Sequence, residues 1–184
     1  MIMNEQQYRD FALHHPRHHQ WELWDGVAVE KPLMSVIHGD VASHLGFMLA
    51  DQLDRAEYRV NINGGKVRLS DRYYFIPDVI VIPAAFVVPF LSDPNAFGAY
   101  AEPLPFVAEV WSHTEDPYDF ALKLRGYQKR RDLEIWYLHP HDRTLTVWCI
   151  QPDGDYVESV STGGIVPIAS LPGVSIDLDD LLDC

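Results

Sequence analysis

A glutamate interrupts an otherwise apolar run, Phe106-Val107-Ala108-Glu109-Val110-Trp111. The run is bounded by Pro105 on one side and by Ser112-His113-Thr114 on the other, and it predicts a buried strand. A carboxylate in the middle of such a strand is costly unless it is paired or bound to a cation. A second acid, Asp78, opens another apolar strand, Asp78–Ile82, directly after Pro77. Any fold for this chain must therefore bury two strands and satisfy two carboxylates at the same time.

The remaining elements follow from local signals. Asn4, with Gln7 in the capping-box position, starts a first helix that runs to about His14, where Pro16 stops it. Trp21–Leu23 and Val27–Glu30 flank Asp25-Gly26, a hairpin turn. Helical spacing of Val41, Leu45, Met48, Leu49 and Leu53 predicts a helix from His38 to Leu53. Strands are expected at Tyr58–Ile62 and Val67–Leu69, around Gly64-Gly65. Pro83–Pro105, rich in proline and aromatics, reads as a long surface loop. Asp116 as cap and Pro117 at the first helical position open a helix to about Arg131. Leu133–Leu138, Leu145–Ile150 and Tyr156–Val160 are strands, and Val174–Ile176 with Asp177–Leu182 make a last strand and short helix. The sum is an α/β (α+β) arrangement, a mixed sheet flanked by two main helices. At 184 residues it is expected to be one domain, 1–184.

Composition limits the function. Lys and Arg number 14 against 27 Asp and Glu, a net charge of −13, which disfavours loose binding to nucleic acid through phosphate neutralisation. Seven of the acids lie beyond Arg143, where no Lys or Arg occurs. Lys123, Arg125, Lys129, Arg130 and Arg131 form a local basic cluster that either tracks a phosphate backbone or is a solvated helix end. Cys149 and Cys184 make no metal or disulfide pattern. No apolar run is long enough to span a bilayer, and the N-terminal residues lack a signal-peptide layout, so the expected location is the cytoplasm.

Asp78, Glu109 and Lys123 are the residues with chemistry. Two carboxylates on neighbouring strands make a hard oxygen site suited to Mg²⁺ or Mn²⁺, completed by water and phosphate oxygens. Lys123, on the following helix, could hold an attacking water or stabilise charge on phosphorus. On the residues alone a structural reading stays open: Asp78 capping a turn, Glu109 pairing with an arginine, Lys123 pairing with Asp119. His38 either lines the site or merely begins its helix, and Tyr127 reads mainly as core. The HHPRHH stretch, with His14, His15, His18 and His19, reads as a solvated loop rather than a zinc site, because Pro16 breaks its helix.

In their order and spacing, several short pieces resemble the Uma-two (Uma2) family of restriction-endonuclease-like proteins, within the PD-(D/E)XK nuclease fold. They are Trp21-Glu22-Leu23-Trp24-Asp25-Gly26, His38, Pro77-Asp78-Val79, Glu109-Val110-Trp111-Ser112-His113-Thr114, Asp119-Phe120-Ala121-Leu122-Lys123 with Tyr127, and Glu134-Ile135-Trp136-Tyr137-Leu138-His139-Pro140. The resemblance covers about residues 4–182. It implies a restriction-endonuclease-like core with Asp78 and Glu109 as metal ligands and Glu22 as a further acidic site residue. The usual nuclease lysine stands two residues after the glutamate, where this chain has Trp111, and the resemblance selects Lys123 in its place. The chain also departs from the family at Ser112-His113-Thr114, Asp132-Leu133 and His139-Pro140.

The resemblance implies a metal-dependent endonuclease that hydrolyses DNA. The alternative is a non-catalytic interaction domain that keeps the fold. Of the four lysines, Lys31 and Lys66 follow turns and are not tied by sequence to the Glu109 strand, and Lys129 is expected at an exposed helix end. Phe86, Phe90, Phe97 and Tyr100 in the long loop either cover a partner or pack on the core. A homodimer is expected, since twofold dimers are the commonest oligomers.

Overall fold

The structure, a computed structural model, describes residues 2–14, 20–113 and 117–183. Asn4 and Gln7 cap the first helix reciprocally, each side chain accepting from the other's backbone N–H at 2.9 Å. That helix, α1, covers Glu5–His14. The hairpin β1 (Trp21–Trp24) and β2 (Val27–Glu30) turns through Asp25 and Gly26, both at positive φ. Helix α2 spans Val36–Gln52 and starts two residues earlier than its apolar spacing indicates, because Ser35 caps it. Then come β3 (Tyr58–Ile62), β4 (Lys66–Ser70), β5 (Tyr73–Phe75) and β6 (Val79–Pro83).

The 83–105 stretch is not a plain surface loop. It holds a short helix α3 (Ala84–Val87), a 3₁₀ turn (Val88–Phe90) and strand β7 (Ala99–Tyr100). Phe97 and Tyr100 are buried, and Phe86 and Phe90 pack half-buried on the core of their own chain. The loop aromatics are therefore satisfied internally, which removes them as the reason to expect a partner. Beyond lie β8 (Phe106–Val110), α4 (Pro117–Arg130), β9 (Glu134–His139), β10 (Thr144–Ile150), β11 (Tyr156–Ser161), β12 (Ile165–Pro167), β13 (Ser175–Asp177) and α5 (Leu178–Leu181). The expected Asp116 cap and the histidines at 15, 18 and 19 lie outside the described residues, as does Cys184.

The strands divide between two main sheets and a small ribbon. One sheet has the order β2-β1-β5-β4-β7, the other β11-β10-β9-β8-β6-β3, and β12 pairs with β13. Pairing is antiparallel except for β4 with β7 and β8 with β9. The β8–β9 pair is parallel because α4 carries the chain back between them.

The six-stranded sheet is covered on both faces. Val79, Val81, Phe106, Ala108 and Val110 pack against Val41, Leu45 and Leu49 of α2 and against the C-terminal Ile176, Leu178 and Leu181. Ile80, Ile82, Val107 and Ile135 face the other way, toward Val67 and Phe75 of the five-stranded sheet and Tyr127 of α4. Strand alternation puts Asp78 on the Ile80 side and Glu109 on the Val107 side, which is one and the same face. The Val79↔Ala108 register then brings Asp78 and Glu109 opposite each other at the next step. Both carboxylates thus enter the seam between the two sheets.

Candidate active site

Glu22, Lys31, His38, Asp78, Glu109 and Lys123 line one pocket, with Trp24 and Val29 among its other walls. All six are almost fully withdrawn from solvent. Helix α4 reaches the site because Gly126 lets it lie against β5: a Cβ at Gly126 would meet Phe75 at 2.6 Å. That approach sets Lys123 and Tyr127, one turn apart, over the Glu109 strand.

Lys123 ties the two sheets together. Its Nζ lies 3.1 Å from Glu22 Oε1, on the five-stranded sheet, and 3.3 Å from Glu109 Oε1, on the six-stranded one. Burial acts to lower its pKa, but the carboxylates of Glu109, Glu22 and Asp78 outweigh that and hold it above the ordinary lysine value. Lys123 therefore stays an ammonium at neutral pH. The expected alternative pairing of Lys123 with Asp119 gives way to these two acids.

Glu22 uses both of its oxygens. Oε1 also accepts from the Ile76 backbone N–H at 2.7 Å, and Oε2 accepts from Trp24 Nε1 at 2.8 Å. Glu109 accepts the Tyr127 hydroxyl on Oε1, the same oxygen that faces Lys123. Tyr127 is thus more than core: it is wholly buried and holds a carboxylate. Burial, then the charge of Glu109, raises the phenol well above its ordinary value, so it keeps its proton and donates it to Glu109. Burial also raises Glu109 itself; Lys123 lowers it, and Asp78 and Glu22 push it up again.

Asp78 has three partners. Oδ2 accepts from the Val110 backbone N–H at 2.8 Å. Oδ1 faces Lys31 Nζ at 2.7 Å and His38 Nε2 at 3.1 Å. Burial alone would raise the carboxyl, but Lys31, His38 and Lys123 reverse this and hold it well below the usual carboxylate range. His38 lines the site from the first turn of α2, its N–H bonded to Ser35 Oγ at 3.3 Å.

Lys31 corrects the sequence reading. It follows the first hairpin and shows no sequence tie to the Glu109 strand, yet its ammonium reaches Asp78 and also the Asn63 side chain at 2.9 Å and the Ile76 carbonyl at 2.7 Å. The available signal was weak: a lone lysine between a strand end and Pro32, in a chain with only four lysines. At the basic end of α4, Arg125, Lys129 and Arg131 are exposed, as a solvated helix end would be, and only Arg130 departs from that reading. Arg130 is buried, forked onto Asp132 at 2.9 and 3.1 Å and bonded to the carbonyls of Arg68, Tyr100 and Glu102. It is a structural clamp, neither a solvated helix end nor a phosphate track.

The donor set suits a hard divalent cation in chemistry. Three acids face only two lysines, so the cluster is short of one positive charge; burial first, and then Asp78 and Glu22, raise Glu109 there. Glu22 is already engaged on both oxygens, and among the described residues no group of three or more His, Cys, Asp or Glu could hold a metal. The chain's own ligands would then be Asp78 and Glu109, with water and phosphate completing the shell, an arrangement Mg²⁺ accepts. Among the described residues no helix is long and apolar enough to cross a membrane.

Comparison with known proteins agrees with this architecture. The sequence model of the Uma2 family, described as "Putative restriction endonuclease", matches residues 6–179. The crystal structure of a "putative nuclease belonging to DUF820" from Anabaena variabilis superposes with a TM-score of 0.76 at 14% sequence identity, covering 98% of this chain and 97% of that one. No curated protein matches the chain.

Proposed function

The chain belongs to the Uma2 family, and from that premise we propose that it is a metal-dependent endonuclease that hydrolyses DNA phosphodiester bonds. The observation that carries this reading is the convergence of Glu22, Asp78 and Glu109 with Lys123 in one pocket at the seam of two sheets. In it, Asp78 and Glu109 hold Mg²⁺ or Mn²⁺. The cation supplies Lewis-acid polarisation of the phosphate and a more acidic bound water.

The chain's own groups do the positioning. Lys123, locked as an ammonium, is no base; it aligns a water or neutralises charge growing on a phosphate oxygen. Glu22 fixes the direction of Lys123. Tyr127 fixes Glu109 through Oε1 and leaves Oε2 outside both of those contacts. His38 orients Asp78.

A plasmid-nicking assay with Mg²⁺, Mn²⁺ or chelator tests the reading on wild type, Asp78→Asn and Glu109→Gln. Metal-dependent nicking lost in both variants supports it; no cleavage by wild type of any DNA or RNA overturns it. That second result would favour the non-catalytic interaction domain, to which the net charge of −13 lends weight. A cytoplasmic homodimer belongs to the same proposal. Val88 and Leu91, 60% and 70% exposed, are apolar surface still available to a second copy. Light scattering at the monomer mass across micromolar concentrations would remove the dimer.

A further inference from the structure

We propose that Lys31 is a built-in competitor for the divalent cation: its ammonium occupies the Asp78 oxygen that the metal needs, so metal enters only by displacing it. The inference rests on the reading of Asp78 as a metal ligand. Three observations carry it. Lys31 Nζ has three N–H donors and three oxygen partners within 2.9 Å, namely Asp78 Oδ1, the Ile76 carbonyl and Asn63 Oδ1. Such a set is itself an oxygen cage around a cation. The Lys31 side chain is only 8% exposed, so water does little to screen the contact. The other Asp78 oxygen is already used by the Val110 N–H, and Oδ1 also faces His38.

The electrostatics give the sign. Glu22, Asp78 and Glu109 carry three negative charges, and Lys31 and Lys123 two positive ones. A divalent ion added with both lysines in place leaves the cluster positive; the same ion without Lys31 leaves it neutral. Lys31 lines the pocket, so a displaced ammonium stays beside the substrate position and can meet a phosphate there. Metal and lysine thus exchange at Asp78, and the chain's appetite for metal is set by a residue that is not a ligand.

Mn²⁺ binding, read by calorimetry and by the loss of the free-ion electron-spin signal, tests this at fixed pH without any substrate. The proteins are wild type, Lys31→Met, Lys31→Gln, and Lys31→Met combined with Glu109→Gln. The expected result is affinity at least about tenfold tighter in both single variants, since a unit charge a few ångströms from the ion is removed from a buried site. The gain should vanish in the double variant. If Lys31→Met is unfolded without metal, Mn²⁺ should restore its fold below the concentration that half-saturates wild type. Equal or weaker binding in both single variants overturns the competition while leaving the metal reading intact. No binding in any of the four proteins overturns the metal reading and the competition together.

Discussion

Lys123 Nζ stands 3.1 Å from Oε1 of Glu22, joining the helix that follows β8 to the first strand of the other sheet. Both side chains are almost fully buried. On sequence alone, Lys123→Ala is expected to cut cleavage by orders of magnitude and leave metal binding and the melting temperature nearly unchanged. Burial changes the second half of that expectation. Removing Lys123 strands two buried carboxylates, a loss of about 3–5 kcal/mol. Lys123→Met should therefore melt about 10 °C lower, as well as losing nicking activity. Thermal unfolding by circular dichroism measures the first; an unchanged midpoint would contradict the bridge.

Tyr127→Phe isolates the hydrogen bond to Glu109. The ring stays and its packing on Phe75 is kept, so only the hydroxyl is lost. A bond to a charged group of this kind contributes about 1.5–3 kcal/mol. Without the donor, ionised Glu109 is less favoured and its pKa rises further. Metal binding, which competes with that proton, should shift its pH midpoint upward in Tyr127→Phe. Titration of Mn²⁺ affinity against pH measures it, and coincident curves for the two proteins would remove Tyr127 from the site.

Asp78 and Glu109 make metal-free stability respond to pH in opposite senses. Asp78 is depressed below its ordinary value of 3.8, so its stabilisation is complete above that pH and is lost as pH falls below it. Glu109 is raised above its ordinary value of 4.5, so the folded protein holds that proton more tightly than the unfolded chain does. Its contribution is full below 4.5 and is lost as pH rises through the raised value. Glu109→Gln should flatten the loss on the upper side and leave the acid side intact. Urea unfolding from about pH 3 to about pH 8 shows whether the upper slope changes.

Arg130→Met distinguishes a clamp from a phosphate contact. The guanidinium joins the end of α4 to Asp132, to β4 and to residues 100–102. Its loss leaves Asp132 buried and uncompensated, about 3–5 kcal/mol. Stability should fall by that amount while Mn²⁺ affinity at the pocket stays within twofold of wild type, roughly the scatter expected for distant sites. Loss of DNA affinity with unchanged stability would reverse the assignment.

What was legible in the sequence was local. The reciprocal Asn4–Gln7 cap, the Asp25-Gly26 turn and the apolar spacing of α2 are short-range devices, and each element formed where its signal lay. The burial of Asp78 and Glu109 was legible too, because an acid inside an apolar run advertises its need for a partner. The division of strands into two sheets was not. Strand β5 is three residues long, and β7 is two residues paired in parallel with β4, so neither carries a periodic pattern of its own. Lys31 escaped for the same reason: its partners, Asn63, Ile76 and Asp78, lie far along the chain and meet it only when the hairpin docks.

The Val110 N–H ends on Asp78 Oδ2, and the Ile76 N–H ends on Glu22 Oε1. Each of these main-chain amides is wired to an acid of the pocket instead of to a neighbouring strand's carbonyl. Their nitrogen and proton resonances therefore sense the charge state of that acid directly. Two peaks in an amide spectrum, with no probe attached and no residue altered, give separate readouts of the six-stranded and five-stranded halves of the pocket as ions, protons or substrate come and go.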